Sequence, residues 1–255
     1  MAEAPESDVE DSKVQRPRLC SVDMLCDLCE LSAIAHPHAS AIVGDASCSV
    51  DLTTGWKEIS AVQAEPAKGI RVERLDGWRG RKPAVLRCTT SAPGCIDPRN
   101  VSKLFDELAL RGKWDENVAV TARVEQLGSD GLAGDRYINR TQTKSALGGL
   151  VSPRDFLSYG IERAISADEA AGCQFYCLVS QPCRHPSYPP NDSAIRAQAM
   201  HFSLSFVREA AHIDEWTVEY IVQVELNGWL PRGPILTGTI NSIKSFLRHL
   251  STKEF

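Results

Sequence analysis

The sequence predicts an α+β domain in which a curved antiparallel β-sheet wraps around a long C-terminal helix. In the second half of the chain, apolar and polar residues alternate over several long segments, most regularly over 216–227. Such alternation is typical of antiparallel strands with one buried face. The C-terminal segment instead repeats apolar residues at steps of three and four, which indicates an amphipathic helix. A single helix is too narrow to fill the concave side of a large sheet, so the sequence also predicts an internal cavity.

Composition and charge narrow the functional classes. The 255 residues are 43% hydrophobic and 24% charged, as in ordinary folded proteins. With a net charge of −5 and no basic stripe interleaved with aromatic residues, the chain is a poor candidate for binding nucleic acid. Because no apolar run reaches the roughly 20 residues of a transmembrane helix, and because the first residues are acidic, we expect a cytoplasmic protein.

The nine cysteines form no recognisable metal site. Their odd number and the lack of a secretory signal indicate reduced, mostly buried thiols. Two groups could in principle bind a metal, namely Cys26 with Cys29, and Cys173, Cys177 and Cys183 with His185. Neither has the spacing of a standard zinc site, so packing is the better interpretation, and we expect no metal and no cofactor.

The N-terminal part divides into a tail, a helix and a group of short strands. Residues 1–17 are rich in Glu, Asp, Ser and Pro and predict a disordered acidic tail, followed by one folded domain over residues 18–255. Between Leu19 and Ile34 the apolar spacing predicts an amphipathic helix. Three short β-like runs follow, at 56–62, 70–75 and 84–90.

A middle helix and three long strands make up the centre of the predicted fold. The helix begins with Asp97 as N-cap and Pro98 as first helical residue, and it ends near Gly112. Its apolar stripe consists of Val101, Leu104, Phe105 and Leu108. The apolar strand faces consist of Val118, Val120, Ala122 and Val124, then Met200, Phe202, Leu204 and Phe206, and finally the alternate residues of 216–226. Each strand is expected to bury one face only.

The closing helix carries its apolar residues in one stripe, and its other face is charged. The stripe contains Leu236, Ile240, Ile243, Leu247 and Leu250. The other face contains Lys244, Arg248 and His249. Before the helix the chain turns sharply between Gly228 and Pro234, and Gly238 is a weak point of roughly 1 kcal/mol relative to alanine.

Five short strings, in a fixed order, connect the chain to a known family. They are Gly55-Trp56-Lys57, Lys113-Trp114-Asp115, Ser152-Pro153-Arg154-Asp155-Phe156, Ile195-Arg196-Ala197 and Asn227-Gly228-Trp229-Leu230-Pro231. With these strings and the closing helix, residues 20–252 resemble the StAR-related lipid-transfer (START) family. The resemblance implies a helix-grip fold that encloses one lipid, such as a sterol, a phospholipid or a ceramide, in a hydrophobic tunnel. It implies lipid binding and non-vesicular lipid transfer rather than enzyme activity. We expect a monomer that associates with membranes transiently.

Strand parity and the resemblance together select the side chains expected to contact the lipid. These are Thr141, Thr143, Ser158, Tyr176, Ser180, Phe202, Leu204, Tyr220, Leu236, Ile240, Ile243 and Leu247. A second group matches the loop that covers the tunnel mouth in the family and is expected to act as a gate. It consists of Leu147, Gly148, Gly149, Leu150 and Val151. For the threonines and serines, ordinary packing with a backbone hydrogen bond is the competing interpretation.

The resemblance is incomplete at one place that bears on lipid choice. In sterol-carrying members an acid and an arginine pair deep in the tunnel, and the matching positions here hold Thr141 and Gly160. A phosphatidylcholine carrier would need an aromatic cage around the choline cation, for which Tyr176 and Tyr220 are the candidates. The class of lipid therefore stays open at this level.

Three charged residues near the starts of strands are expected to be structural. Arg154 and Asp155 cannot both line a tunnel, because adjacent strand residues point to opposite faces. For Arg196 we expect pairing with an acid rather than contact with a lipid.

Two other functions remain as alternatives. The cavity could catalyse a reaction, as in helix-grip enzymes, but the sequence offers no GxSxG, no HExxH and no Cys–His pairing at catalytic spacing. The acidic tail and the first predicted helix could instead make the protein a lipid-sensing interaction module.

Overall fold

The computed structural model describes residues 56–59, 69–76, 84–130, 134–146, 149–165, 173–209, 212–228 and 232–251. The predicted tail over 1–17, the helix predicted over 19–34, and Leu147 and Gly148 of the predicted gate lie outside these residues. So does the CxxC pair of Cys26 and Cys29.

A nine-stranded sheet curves around the C-terminal helix within the described residues. Its strands are β1 (Lys57–Glu58), β2 (Arg71–Leu75), β3 (Val85–Pro93), β4 (Val118–Asp130), β5 (Gly134–Thr143), β6 (Arg154–Ile165), β7 (Cys173–Pro182), β8 (Ile195–Glu209) and β9 (Glu215–Glu225). Their order across the sheet is β1-β2-β3-β9-β8-β7-β6-β5-β4, so the last strand of the chain lies in the middle, between β3 and β8. The predicted α+β class and the mainly antiparallel sheet are confirmed.

One short parallel ladder interrupts the antiparallel pairing. The first three residues of β6 pair with the first three of β8, in the register Arg154↔Ile195, Asp155↔Arg196 and Phe156↔Ala197. This is possible because β7 ends at Pro182, opposite Ser158, and no longer separates the two strands beyond that point. All other pairings between the described strands are antiparallel, as predicted.

A β-bulge at the start of β4 reverses the predicted faces of that strand. The register with β5 shifts between Val118 and Val120, so one extra residue is inserted. Because side chains alternate with a period of two, the insertion turns Val120 outward, where it is 38% exposed, and Thr121 inward, where it is 5% exposed. The Thr121 hydroxyl then donates to the backbone oxygen of Phe105. The predicted apolar face through Val120 is therefore wrong.

The middle helical segment starts at Asp97 and ends near Gly112 as predicted, but it is broken in between. The Asp97 carboxylate accepts from the backbone N–H of Arg99 at 3.1 Å and caps a 3₁₀ turn over Pro98–Asn100. Two short helices follow, α1 (Lys103–Asp106) and α2 (Leu108–Arg111). They are separated at Glu107, whose backbone is extended with φ −103° and ψ 118°. This break turns Leu108 out of the predicted apolar stripe, and its exposure is 44%.

The C-terminal helix, α3 (Arg232–Ser251), supplies the centre of the core. Four residues of its predicted stripe are buried, namely Ile240, Ile243, Leu247 and Leu250. Phe246 is fully buried as well, with ring centroids 4.9 Å from Phe105 and 5.0 Å from Trp114. Lys244 is also buried, contrary to its predicted place on the charged face, because it follows Ile240 by four residues and shares its side of the helix.

Both faces of β9 are buried at its centre. Val218, Tyr220 and Val222 join the main core as predicted. On the opposite face, Glu219 and Gln223 are at most 1% exposed, and Ile221 packs with Leu75, Val85 and Trp56. The prediction of a single buried face is wrong here, because side chains of β2 and β3 and the Trp56 ring pack on this side.

Glu219 is an acid in this buried outer face. Neither of its carboxylate oxygens has a hydrogen-bond partner among the residues that the structure describes. Burial raises the pKa of Glu219 to about 8, although the positive charge of Arg87 acts in the opposite direction. Glu219 is therefore mainly protonated at neutral pH in the folded protein, whereas it is ionised in the unfolded chain.

We expect Glu219→Gln to weaken the pH dependence of stability. The pKa of Glu219 is about 8 in the folded protein and 4.5 in the unfolded chain. Its contribution to the free energy of unfolding is therefore complete below pH 4.5 and is lost as the pH rises to about 8. The loss is on the order of 4 kcal/mol in the wild type and is absent for the neutral glutamine. Urea unfolding at pH 5 and pH 8.5 measures it, with Glu225→Gln at the exposed end of β9 as the matched control. Equal pH slopes for wild type and Glu219→Gln would contradict the assignment.

Candidate functional site

A cavity of about 410 Å³ lies between the concave face of the sheet and α3. Its exposed lining residues are Asn117, Lys144, Ala146 and Gly238, and they mark where it opens. We call this end the mouth. The walls further in are largely apolar or aromatic, with Phe105, Leu178, Phe202, Val222 and Ile243 among them. The cavity can therefore hold an apolar ligand that enters from the mouth.

A set of polar side chains forms the inner end of the cavity. This inner cluster consists of Asp106, Asn139, Thr141, Ser158 and Ser180, all of which line the cavity. Along β5, Asn139 is four residues from Thr143, which lies next to the mouth residue Lys144. At about 3.3 Å per residue the two positions are roughly 13 Å apart. Polar groups thus lie at both ends of an apolar space.

Hydrogen bonds fix the orientation of the inner cluster. The Asn139 amide donates to Oδ1 of Asp106 at 2.7 Å, and the Thr141 hydroxyl donates to Oδ1 of Asn139 at 3.1 Å. The other oxygen of Asp106 accepts from Nε and Nη2 of Arg123, at 3.0 and 2.6 Å. Burial raises the pKa of the Asp106 carboxyl, although the charge of Arg123 beside it lowers that pKa.

Arg123 stands behind Asp106 rather than in the cavity wall. Its guanidinium lies 3.8 Å from the ring centroid of Tyr137 and also pairs with Glu162 at 3.2 Å. The sequence pattern placed Arg123 on the solvent face of its strand. The bulge in β4 turns the Arg123 side chain to the inward face of the strand. Only for this reason does Arg123 reach Asp106. Sequence reasoning missed this pair because no local signal marks the bulge.

Tyr137 occupies the space above Gly160. A Cβ atom at position 160 would lie 2.6 to 2.9 Å from ring atoms of Tyr137, closer than real Cβ contacts. Position 160 is where the resemblance places an arginine in sterol-carrying members. In this chain the aromatic ring fills that space, and the acid–arginine pair at this end is made by Asp106 and Arg123 instead.

The mouth carries charged groups with a different arrangement. Arg111 and Asp115 form an ion pair of 3.0 Å, and the Lys144 ammonium donates to the backbone oxygen of Glu116 at 2.7 Å. Arg154 is 4% exposed and donates to the backbone oxygens of Leu226, Ser152 and Asn227, at 2.7, 2.5 and 3.3 Å. It thereby ties the start of β6 to the end of β9, in agreement with the structural role predicted for it.

The structure divides the predicted lipid-contact residues into two groups. Along the cavity lie Thr141, Thr143, Ser158, Ser180, Phe202, Tyr220 and Ile243. Packed against or within the hydrophobic core, and not along the cavity, lie Tyr176, Leu204, Leu236, Ile240 and Leu247. The aromatic pair predicted as a choline cage is thus split, because only Tyr220 borders the cavity. Contact with a lipid stays a prediction for both groups.

The described part of the predicted gate, residues 149–151, lies beside the mouth. Ala146 and Val151 form a β-bridge, with hydrogen bonds of 3.0 and 3.1 Å between their backbones. Gly149 between them has a left-handed φ of 96°, which a glycine adopts without strain. Val151 lines the cavity, whereas Leu150 is 88% exposed. One apolar side chain therefore faces inward and its neighbour faces solvent.

Two residues of the group weighed as a zinc site, Cys177 and His185, have other surroundings. Cys177 is buried in β7, and His185 contacts Glu125 at 2.7 Å. Over the ranges that the structure describes, no three His, Cys, Asp or Glu side chains are placed to hold a metal ion. The same part of the chain contains no helix that is both long enough and apolar enough to cross a membrane.

Comparison with known proteins identifies the family. A family model described as the START domain matches residues 55–253. The chain belongs to the START family.

Its similarity to individual members is low. It is 24% identical to the mitochondrial steroidogenic acute regulatory protein of Gallus gallus over 149 residues, which are 58% of this chain and 49% of that protein. It is 28% identical to StAR-related lipid transfer protein 5 of Bos taurus over 145 residues, 55% of this chain and 61% of that protein. The matched part thus spans about half to three fifths of the length of these relatives.

Solved structures of START proteins share the fold. Human StAR-related lipid transfer protein 5 superimposes with a TM-score of 0.62 at 20% identity, over 91% of this chain and 97% of that chain. Human STARD10 gives a TM-score of 0.57 at 16% identity, over 81% and 78% of the two chains. At such identities the likeness establishes the START fold, in which a curved antiparallel sheet wraps a C-terminal helix.

We expect Gly160→Ala to destabilise this START domain by about 1 to 3 kcal/mol, because the added Cβ overlaps the Tyr137 ring. Gly238→Ala is the matched control. Nothing lies within 4 Å of a Cβ at that helical position, so alanine should be neutral or stabilising by up to about 1 kcal/mol. Urea unfolding of both variants and of Gly160→Ala combined with Tyr137→Leu measures the effect. If the losses in free energy of unfolding simply add in the double variant, the Tyr137 ring is not what the added Cβ meets, and the explanation is wrong.

Proposed function

We propose that this protein binds one lipid in the cavity between the sheet and α3 and transfers it between membranes without vesicles. The observation that carries the proposal is the cavity of about 410 Å³. Its walls are largely apolar, it opens at the mouth, and polar side chains lie at both of its ends. Membership of the START family supports it, since a relative in that family is named as a lipid transfer protein.

The lining supplies the binding energy expected of a lipid carrier. Side chains such as Phe202, Val222 and Ile243 offer no hydrogen bonds to water, so a chain or ring that displaces water from them is favoured. Each buried CH₂ group of the ligand contributes about 0.8 kcal/mol. A few polar groups at the cavity ends then decide which lipid is preferred.

The turn at Ala146–Val151 supports membrane contact at the entrance. Leu150 projects into solvent while Val151 lines the cavity. A membrane that receives the Leu150 side chain would therefore lie directly against the opening, so that a lipid can move between bilayer and cavity without crossing water.

The proposal is tested by native mass spectrometry of the purified protein after incubation with a mixed lipid extract. One retained lipid per protein chain is expected, together with transfer of that lipid from donor to acceptor vesicles. If the folded protein retains no lipid, with its circular dichroism spectrum unchanged, the proposal is wrong.

We expect Leu150→Asp to slow lipid transfer roughly tenfold without reducing the amount of lipid bound at equilibrium. Burying one leucine in an apolar phase contributes about 1.5 to 3 kcal/mol, and 1.4 kcal/mol corresponds to a factor of ten. The matched control is Ile213→Asp, since Ile213 is 65% exposed but precedes β9 at the end away from the mouth. Equal slowing by both variants would mean that a general loss of surface hydrophobicity, not the entrance turn, controls the rate.

A further inference from the structure

We propose that the cavity has a second opening at its inner end, which the side chain of Arg123 closes, and that water leaves through it when a lipid enters from the mouth. We call this opening the inner port and define it by Asp106, Arg123, Tyr137 and Glu162. The inference rests on the proposed function, because it concerns how the cavity fills with a lipid.

A single layer of side chains separates the inner end of the cavity from solvent. Asp106 lines the cavity, and Arg123 contacts Asp106 from the other side. Arg123 does not line the cavity, yet its side chain is 27% exposed, so the exposed part faces the outside solvent. Gln126, to which Nη1 of Arg123 donates at 3.4 Å, is exposed as well. The path from the cavity to solvent therefore leads past Asp106 and Arg123.

Polar contacts, rather than apolar packing, hold this layer in place. Nε and Nη2 of Arg123 donate to one carboxylate oxygen of Asp106 at 3.0 and 2.6 Å, and Nη2 also contacts Glu162 at 3.2 Å. The guanidinium stacks on the Tyr137 ring, 3.8 Å from its centroid. At a position next to solvent, such contacts are exchanged for contacts with water at little net cost. Water that follows the guanidinium outward also solvates the Asp106 carboxylate, so no buried charge is left unpaired.

The backbone on both sides of the inner port has weak support. Within the described residues β4 is the last strand of the sheet, and β5 is its only partner strand. Its register with β5 shifts between Arg123 and Glu125 and at two other places. Asp106 ends α1 and is followed directly by the extended residue Glu107. Interrupted ladders and helix ends open at a lower free energy than the centre of a sheet, so the two sides of the port can move apart.

A cavity that fills from one end requires an outlet for water at the other. The volume of about 410 Å³ corresponds to on the order of a dozen water molecules at roughly 30 Å³ each. A lipid that enters at the mouth closes the way back along apolar walls such as Phe202 and Val222. Water at the polar inner end would then be trapped between the lipid and Asp106. An exit past Arg123 lets the lipid advance as the water leaves.

Thiol labelling of the full chain tests the inner port without any lipid. Ser158→Cys places a thiol at the inner end, and Thr143→Cys places one near the mouth. The probe is a small water-soluble methanethiosulfonate, and peptide mass mapping separates the new thiol from the native cysteines. Labelling of a protected thiol follows the population of the open form, so Arg123→Ala should raise the rate at position 158 at least about tenfold. The rate at position 143 should stay unchanged.

Arg87→Ala is the matched control for a general loosening of the fold. Arg87 also binds a carboxylate through Nε and Nη2, that of Glu73 at 2.7 and 2.6 Å, and its guanidinium lies over the Trp56 ring. It does not line the cavity, so its loss should change neither labelling rate. If Arg123→Ala does not fold, Arg123→Lys takes its place. Lysine keeps a positive charge beside Asp106 but loses the forked contact, so a smaller acceleration at position 158 is expected.

The rate of lipid loading tests the role of the port in water exit. Lipid-free protein is mixed with vesicles of the mixed lipid extract, and native mass spectrometry at timed intervals follows the lipid-bound mass. In Arg123→Ala water no longer waits for the guanidinium to swing outward, so this variant is expected to load several-fold faster than the wild type. Arg87→Ala is expected to load at the wild-type rate.

Several outcomes overturn the inference while sparing the proposed function. One is equal labelling at position 158 in Arg123→Ala and the wild type. Another is equal acceleration at positions 143 and 158, which indicates a loosened fold. Unchanged loading by Arg123→Ala overturns the role in water exit. If no lipid is retained from the extract while labelling at position 158 accelerates, the proposed function and the role in water exit are wrong, and the second opening is confirmed.

Discussion

The buried carboxylate of Asp155 holds together the part of the sheet on which the cavity depends. It is 2% exposed, and it accepts from Arg140 of β5 at 2.8 Å and pairs with Arg196 of β8 at 2.9 Å. The adjacent Arg154 points the opposite way and binds backbone oxygens at the end of β9. Two consecutive residues thus connect four strands just where β7 ends. Because a buried charge that loses its partner costs about 3 to 5 kcal/mol, this contact fixes how the sheet closes around α3.

The two ends of the cavity differ because different elements form them. The break at Glu107 places Asp106 at the end of α1, directly after Phe105, so that an acid follows the aromatic wall. The mouth is built from α2, the residues that follow α2 and β5, and the start of α3, and Arg111 and Lys144 lie there. Between the two ends, the rings of Phe105, Phe202, Tyr220 and Phe246 pack edge to face or tilted. A ligand therefore meets an arginine–aspartate pair and a lysine at the opening, and Asp106 with neutral polar groups inside.

Features that repeat along the chain could be predicted from the sequence, and features made by contact between distant segments could not. The stripe of α3, the alternation in β9 and the anchor strings have a fixed period or order, so they were recognisable. The bulge in β4 is set by its register with β5, and it decides that Thr121 and Arg123 turn inward. Glu219 fits its strand pattern perfectly, yet its burial depends on which strands cover that face. For this reason the inward faces of Thr141, Thr143 and Ser158 could be predicted from the sequence, but the Asp106–Arg123 pair could not.

The contact between Tyr137 and Gly160 also bears on how this cavity could change during evolution. A side chain at position 160 requires that the ring at position 137 be lost first, since both cannot occupy the same space. The intermediate with neither group would leave a void in a buried region, which is itself destabilising. The two positions are therefore coupled: a side chain at position 160 lowers stability less when the ring at position 137 is absent. Arg123, which stacks on the same ring, shares in this constraint. The coupled residues at the polar end of the cavity must therefore change together. Substitutions at Ser158 and Ser180 are more easily accommodated during evolution than substitutions at Asp106 and Arg123.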